Sequence, residues 1–361
     1  MTGAKRQVKI LVIKVAALGD FLMATPALRA LKQAPRVSAV HVLAGRSIAA
    51  VAGNDPDVDR VFYLDDRRLF RGGWLARAAE ALKASRRLRR ERYDVGFNFH
   101  RDPRFAVILF LAGCRRRIGF RRAGRRPWLL TEAVPVEGIQ HHIFHYCDLL
   151  KPLGIFCLDF KMGFPLNRAV EAAAVAKFLA GEALVDYVVL APGGAANVKE
   201  EMESRRWPGE NFSALAGLLT TAGMRVVLVG SGSDAAIAAR IKASQPGVVD
   251  FTGRTTLAEA AAILKRSRLV VCNDSGLMHL AAAVGARVVS IFGPTHPGEK
   301  KPLNEGSIAV WKGEGMECSP CYHDGVFPKC SHLECLRQVT PEEVFELAQK
   351  MINETNSVTS N

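Results

Sequence analysis

Three short stretches carry the residues best suited to chemistry. Leu18-Gly19-Asp20 follows the β-rich run Val8 to Val15. Gly19 permits unusual backbone there, and a carboxylate at Asp20 can take the proton of a hydroxyl as its oxygen attacks a carbon. The competing reading makes Asp20 a helix cap. Thr25-Pro26 offers the better helix start, with Thr25 as cap and proline in the first helical position, which leaves Asp20 free. The second stretch is Pro192-Gly193-Gly194, which ends the run Tyr187 to Leu190, with Arg205-Arg206-Trp207-Pro208 after it. Glycine amides approach a phosphate closely and two guanidinium groups neutralise a leaving diphosphate, although a plain surface turn fits equally well. The third, Asn273-Asp274-Ser275-Gly276-Leu277-Met278-His279, ends a strand and opens a small-residue helix whose amides and positive N-terminus suit a diphosphate. Its alternative is an ordinary capped helix with His279 packed in the first turn. Gly293-Pro294-Thr295-His296-Pro297 forms a similar mouth one strand later.

Two patterns are weaker. Gly230-Ser231-Gly232-Ser233-Asp234 resembles a dinucleotide fingerprint superficially, but it lies mid-domain, and the first strand lacks GxGxxG, which argues against a dehydrogenase. Asp234 is there a candidate contact to base or ribose. Cys318-x2-Cys321-x8-Cys330-x4-Cys335 begins with the spacing of a metal knuckle, so a structural zinc or iron site is one reading, with His323 and His332 as substitute ligands. The later spacings fit no standard zinc pattern, and reduced thiols or an occasional disulfide is the other reading.

Strands alternating with helices must position these residues. Val8 to Val15, Ala39 to Leu43, Val61 to Leu64 and Tyr93 to Phe99 read as strands in the first half; Tyr187 to Leu190, Arg225 to Val229, Leu269 to Val271 and Val288 to Phe292 do so in the second. The expectation is α/β with two parallel sheets, their turns lining a crevice beyond the strands' carboxyl ends. Gly163 to Arg168 reads as a linker, giving domains 1–166 and 167–352 and a disordered tail from Asn353 to Asn361. No stretch has the roughly 20 apolar residues of a spanning helix, and the first residues lack a cleavable signal, so a cytoplasmic protein without a disulfide framework is expected.

The formal charge of +14 is unevenly spread: residues 1–150 hold 28 Lys and Arg against 13 Asp and Glu. The densest runs are Arg86 to Arg92 and Arg115 to Arg126, and such clusters suit phosphate groups or an anionic membrane surface. Arg115, Arg116, Arg117, Arg121 and Arg122 are therefore candidate contacts to an anionic partner, with a solvated basic face as the bland reading. Phe120 and Trp128 are the aromatics near these runs, too few for a nucleic-acid stacking surface.

Taken together, ILVIK-x3-LGD-x3-ATPALRALK from Ile10 to Lys32, PGG followed by RRWP, and NDSGLMHLAAAVGARVVSIFGPTHP from Asn273 to Pro297 resemble the lipopolysaccharide heptosyltransferases. The Cys318 to Cys335 cluster and the helix start Thr340 to Val344 have counterparts in many relatives. That resemblance implies the GT-B fold, two Rossmann-like domains facing a central cleft, and an inverting transfer without a catalytic metal. It implies an acceptor-binding first domain, an ADP-sugar bound by the second, and peripheral association with the inner leaflet of the bacterial inner membrane. Asp20 then matches the general base with Gly19 beside it, Arg205 a phosphate-binding lysine, and Asp274-Ser275-Gly276 the contact to the donor. Gly193, Gly194, Arg206, Asp234 and His279 join that donor set. Arginine at 205 departs from the usual lysine, and eleven residues separate Gly194 from Arg206, more than in close relatives. The rivals are a GT-B transferase with a hexose or amino-sugar donor or a protein acceptor, and a non-catalytic scaffold binding anionic glycan or RNA.

Overall fold

The computed structural model describes residues 7–121, 128–182, 184–194, 202–322 and 330–358. The chain divides into two compact units, Met1–Pro165 and Leu166–Asn361. The first contains β1 (Val8–Ile13), β2 (Val37–Gly45), β3 (Arg60–Leu64), β4 (Val95–Asn98), β5 (Arg116–Arg121) and β6 (Glu132–Pro135), ordered β3-β2-β1-β4-β5-β6. The second contains β7 (Tyr187–Ala191), β8 (Arg225–Leu228), β9 (Val249–Asp250), β10 (Leu269–Asn273), β11 (Val288–Phe292) and β12 (Ile308–Trp311), ordered β12-β11-β10-β7-β8-β9. Every pairing is parallel. The two units thus share one Rossmann-like topology, in which strand order reverses between β1 and β4 and again between β7 and β10.

The sequence builds these sheets through short apolar runs covered on both faces. Leu11, Ile13, Leu43 and Leu64 pack against Ala84, Leu88, Ile108 and Leu109 in the first unit. Val188, Leu190, Val271 and Ile291 pack with Trp207, Phe212, Leu215 and Leu336 in the second. The sequence reading did not separate out β5, β6, β9 and β12. Strand β5 is RRIGFR, with Ile118, Gly119 and Phe120 buried and Arg121 exposed; its arginines masked the strand pattern.

Four expectations need correction. The helix after β1 begins at Leu18 and runs to Gln33, so Thr25 is no cap and Pro26 lies inside it. Proline has no N–H to give Leu22 O four residues back. The Thr25 hydroxyl donates to Leu22 O instead, at 2.8 Å, and accepts the Gly163 N–H at 2.9 Å. Asp20 consequently occupies the first helical turn. Residues 353–358 of the expected tail are helical, because the helix Pro341–Val358 continues the stripe of Val344, Ala348, Met351 and Ile352. Arg287 also ties down its end, donating to Met351 O and pairing with Glu354 at 3.2 Å; residues 359–361 lie outside the described set. Finally, Cys147 and Cys157 form a disulfide, the fold placing their Cα atoms 5.8 Å apart. Among the described residues, no helix is long and apolar enough to cross a membrane.

Replacing Thr25 by valine keeps the side chain's shape and strands both Leu22 O and Gly163 N. We expect the first unit to lose about 1 to 3 kcal/mol in urea unfolding followed by circular dichroism, and an unchanged midpoint would refute this role for the hydroxyl.

Candidate active site

Open α/β sheets bind ligands beyond the strands' carboxyl ends, where strand order reverses. In the second unit that point is built on Asn273, the fully buried last residue of β10. Its Nδ2 donates to Pro192 O at 2.8 Å and Gly193 O at 3.0 Å, while its Oδ1 accepts the Trp207 N–H at 3.0 Å. One side chain thereby joins the turn after β7, the end of β10 and the Arg205-Arg206-Trp207 segment. The two glycines are required by packing. A Cβ on Gly193 would lie 2.1 Å from the Asp234 carboxyl carbon, and one on Gly194, whose φ is +100°, would lie 2.3 Å from Ser275 Cβ.

Asp274 follows, 1% exposed, with the Arg205 guanidinium 2.7 Å from its Oδ1. Burial alone would raise the Asp274 pKa, but the charges of Arg205, Lys300 and His279 outweigh it and hold the carboxyl below the usual range. Lys300, at the end of the short helix Pro297–Lys300, is itself buried and lies 4.5 Å from the Tyr322 ring centre. The sequence reading missed it, because nothing at that position in the chain signals proximity to Asp274. Ser275 caps the helix Gly276–Ala283, its Oγ accepting the Met278 N–H at 3.4 Å, and His279 is buried in the first turn. The capped-helix reading therefore holds for both. It leaves the first-turn amides of Gly276 and Leu277 as the groups a helix start offers an anion. In the second mouth His296 is also a cap, its Nδ1 accepting the Gly298 N–H at 3.0 Å.

Asp234 is held within its own turn. Its Oδ2 accepts from Ser231 N at 2.9 Å and Ser231 Oγ at 2.7 Å, which closes a capping box, and its Oδ1 lies 3.5 Å from Arg206. It lies beside Arg206 in a buried position, 5% exposed. Arg205 and Arg206 thus each have a carboxylate behind them.

In the first unit, β1 delivers Lys14 and then Asp20. Lys14 is buried, its ammonium 3.1 Å from Asp20 Oδ2 and 5.2 Å from the Tyr146 ring centre. His142 Nδ1 lies 3.9 Å from Asp20 Oδ1, carried by the helix His142–Asp148. The Asp20 side chain is 33% exposed, so an anion with a cation behind it faces outward, and Gly19 is buried beside it. Across the strand-order reversal, His100 Nε2 accepts the Val15 N–H at 2.8 Å, and its ring stacks on Phe105 at 4.2 Å. On the same helix as His142, burial pushes His145 down to about 4, so it stays neutral near pH 7. Lys14, His100 and His142 were not in the sequence reading. The rule that segments after β1 and β4 meet could have found His100; His142 arrives only through helix packing.

The arginines divide by edge. Arg121 is exposed at the carboxyl end of β5, the same edge as Asp20, whereas Arg115 is exposed before its amino end. Arg116 and Arg117 are engaged within the first unit. Arg116 grips Glu132 with two 2.8 Å bonds and donates to Pro152 O, while Arg117 donates to Leu129 O at 2.5 Å and Cys114 O at 2.7 Å. Arg122 lies outside the described residues. The Arg86 to Arg92 run closes the helix Trp74–Arg89, and its Glu91 pairs with Lys9 at 2.5 Å and Arg60 at 2.8 Å, at the amino ends of β1 and β3. That run therefore lies at the edge opposite Asp20.

Cys318, Cys321, Cys330 and Cys335 are free thiols. Burial pushes Cys335 up to about 11, and its three neighbouring thiols push the same way. Among the described residues, no group of three or more His, Cys, Asp or Glu that could hold a metal ion is found. His323 lies outside the described residues.

A family model for glycosyltransferase family 9 (heptosyltransferase) matches residues 81–330. The chain belongs to glycosyltransferase family 9. It is similar to lipooligosaccharide heptosyltransferase 2 of Haemophilus ducreyi, 26% identical with 95% of this chain and 99% of that one covered. It is equally similar to lipopolysaccharide heptosyltransferase 2 of Escherichia coli, 26% identical over 94% of this chain and 97% of the other. Among solved structures, the E. coli ADP-heptose lipopolysaccharide heptosyltransferase II superposes with a TM-score of 0.74 at 22% identity, covering 96% of this chain and 99% of that one. The fold is accordingly GT-B, and this family 9 chain is a glycosyltransferase.

A native carboxyl pKa held below its unfolded value of about 3.9 adds stability that is complete above that value and lost as pH falls through the native one. Asp274 should contribute in that sense. Asp274→Asn leaves Arg205 and Lys300 without their buried counter-charge, and we expect about 3 to 5 kcal/mol of destabilisation at neutral pH. As pH falls below the unfolded carboxyl value the gap between variant and parent should narrow in denaturant titrations; a gap that stays constant with pH would contradict the charged state of Asp274.

Proposed function

We propose that this glycosyltransferase moves a heptose from an ADP-activated donor to an anionic inner-core lipopolysaccharide acceptor, working from the cytoplasmic surface of the bacterial inner membrane. The observation that carries the reading is the pairing of opposite charges at equivalent points of two like sheets. The first unit places a partly exposed carboxylate, Asp20, after β1, and the second places a guanidinium, Arg205, with 13% of its side chain exposed, after β7. A displacement at an anomeric carbon needs both. The acceptor hydroxyl oxygen bonds to that carbon as its proton passes to Asp20, and the carbon's bond to the diphosphate oxygen breaks on the opposite face, which inverts the configuration. The departing ADP gains charge on its terminal phosphate, which Arg205, Lys300 and the first-turn amides of the helix Gly276–Ala283 stabilise. Lys14 and His142 orient Asp20. No catalytic metal enters this scheme. The choice of ADP and heptose rests on the relatives, one of which is described as an ADP-heptose enzyme.

Asp20→Asn should lower turnover at least about a hundredfold while calorimetric ADP binding stays at the parent value. Arg205→Ala should instead weaken ADP binding. Substantial turnover in the Asp20 variant would end its role as base. UDP bound in preference to ADP would move the donor to a hexose or amino sugar, and binding of neither would leave only the scaffold.

A further inference from the structure

The first unit carries an apolar surface that the reaction does not use. The helix Asp66–Arg71 follows β3 and therefore starts at the carboxyl edge of the sheet, the edge that bears Asp20. Gly72 and Gly73 then turn the chain into the helix Trp74–Arg89. Its buried face is Glu80, Ala84, Ser85 and Leu88. On the outward face Trp74 is 76% exposed, Leu75 65% and Leu82 40%, with Ala78 and Ala79 exposed between them. At 100° per residue these five fall within one stripe about 140° wide. Farther along, the same stripe continues as Arg86 and Arg89.

Basic residues border the apolar part. Arg67, Arg68 and Arg71 are exposed on the preceding helix, and Arg77 and Lys83 are exposed on this one. A tryptophan and two leucines ringed by arginines, on a helix whose other face is packed, have the composition of an element that lies in a lipid interface. A core element would bury Trp74, and a merely solvated face would not expose it beside two leucines. The charge sign selects anionic headgroups, each nearby Lys or Arg adding attraction.

Building on the proposed function, we propose that Trp74, Leu75 and Leu82 insert into an anionic lipid surface while Arg67, Arg68, Arg71 and Arg77 contact its headgroups. This docking face starts on the same sheet edge as Asp20. A membrane-embedded acceptor is thereby met at the edge where its hydroxyl must lose a proton.

The test is co-sedimentation of the full chain with vesicles of phosphatidylethanolamine and phosphatidylglycerol, and with phosphatidylcholine vesicles as control. The parent should bind the anionic vesicles alone. Trp74→Ser with Leu75→Ser should weaken that binding at least about tenfold, and each Arg→Gln at 67, 68 or 71 should weaken it about fivefold. These side chains are exposed, so the variants should keep the parent's unfolding midpoint and its calorimetric ADP affinity. Turnover of the Trp74/Leu75 variant should drop on acceptor embedded in vesicles and match the parent on a deacylated, water-soluble acceptor. Unchanged vesicle binding in that variant would overturn the proposal. So would a fall in oligomeric state on ultracentrifugation, which would make the face a contact between copies of the chain. If instead the parent binds vesicles through this face but binds no nucleotide, the transferase reading fails and the docking face stands.

Discussion

The most demanding feature of this chain is a buried carboxylate. Asp274 lies at the end of a central strand with its side chain almost sealed from solvent. A charge in that position is tolerated only where opposite charges and hydrogen bonds replace water. Arg205 and Lys300 supply the charges, coming from a turn between β7 and β8 and from the short helix after β11. The local fold must bring three separate segments to one point, and Asn273 ties the end of β10 to two points of the β7–β8 connection, the Pro192-Gly193 turn and Trp207. Gly193 and Gly194 follow from the same constraint, since a side chain at either would push the β7 turn off Asp234 or Ser275. Residues that look like separate phosphate-binding signals are therefore parts of one packed assembly. Its chemical output is a pair of arginines whose positions are fixed before any ligand arrives, the condition under which electrostatic stabilisation is largest.

The first unit inverts this arrangement on the same topology. There the buried partner is the cation, Lys14, with a side chain 3% exposed, and the outward partner is Asp20 at 33%. In the second unit the buried partner is the anion, Asp274 at 2%, and the outward partner is Arg205 at 13%. In both cases the buried ion belongs to the end of a central strand or the residue just after it, where backbone geometry is most rigid. An ion pair built this way restricts the side chain of its more exposed member, and removing the buried member would release it.

Much of this was legible in the sequence. The strand-turn pattern placed Asp20, the Pro192-Gly193-Gly194 turn and Asp274 at the carboxyl ends of strands, because glycine, aspartate and asparagine gather where strands end. What stayed hidden depended on contacts between distant segments. Lys300 lies 26 positions after Asp274 in the chain, and His142 reaches Asp20 only because two helices pack on one face. Thr25-Pro26 misled in an instructive way: a cap followed by proline is a helix start by local rules. Here the hydroxyl serves the carbonyl that proline leaves without a donor, and the helix runs through. Strand β5 was missed for the opposite reason, its arginines drawing attention to charge when Ile118 and Phe120 carried the structural information.

Charge counted along a chain and charge placed on a surface are different quantities. The excess of Lys and Arg in the first 150 residues suggests a single basic face, yet the fold distributes it among several fates. Arg116 and Arg117 hold together β5, β6 and the loops around them, where carbonyl groups at strand ends need donors. Lys9 and Arg60 converge on Glu91 at the amino edge. Arg121 and the arginines around Trp74 remain exposed at or next to the carboxyl edge, where a ligand can meet them. The guanidinium group suits both duties, since its planar donors satisfy several carbonyls at once and also grip phosphate. A composition rich in arginine thus says that anions or carbonyls must be met, and strand direction decides which.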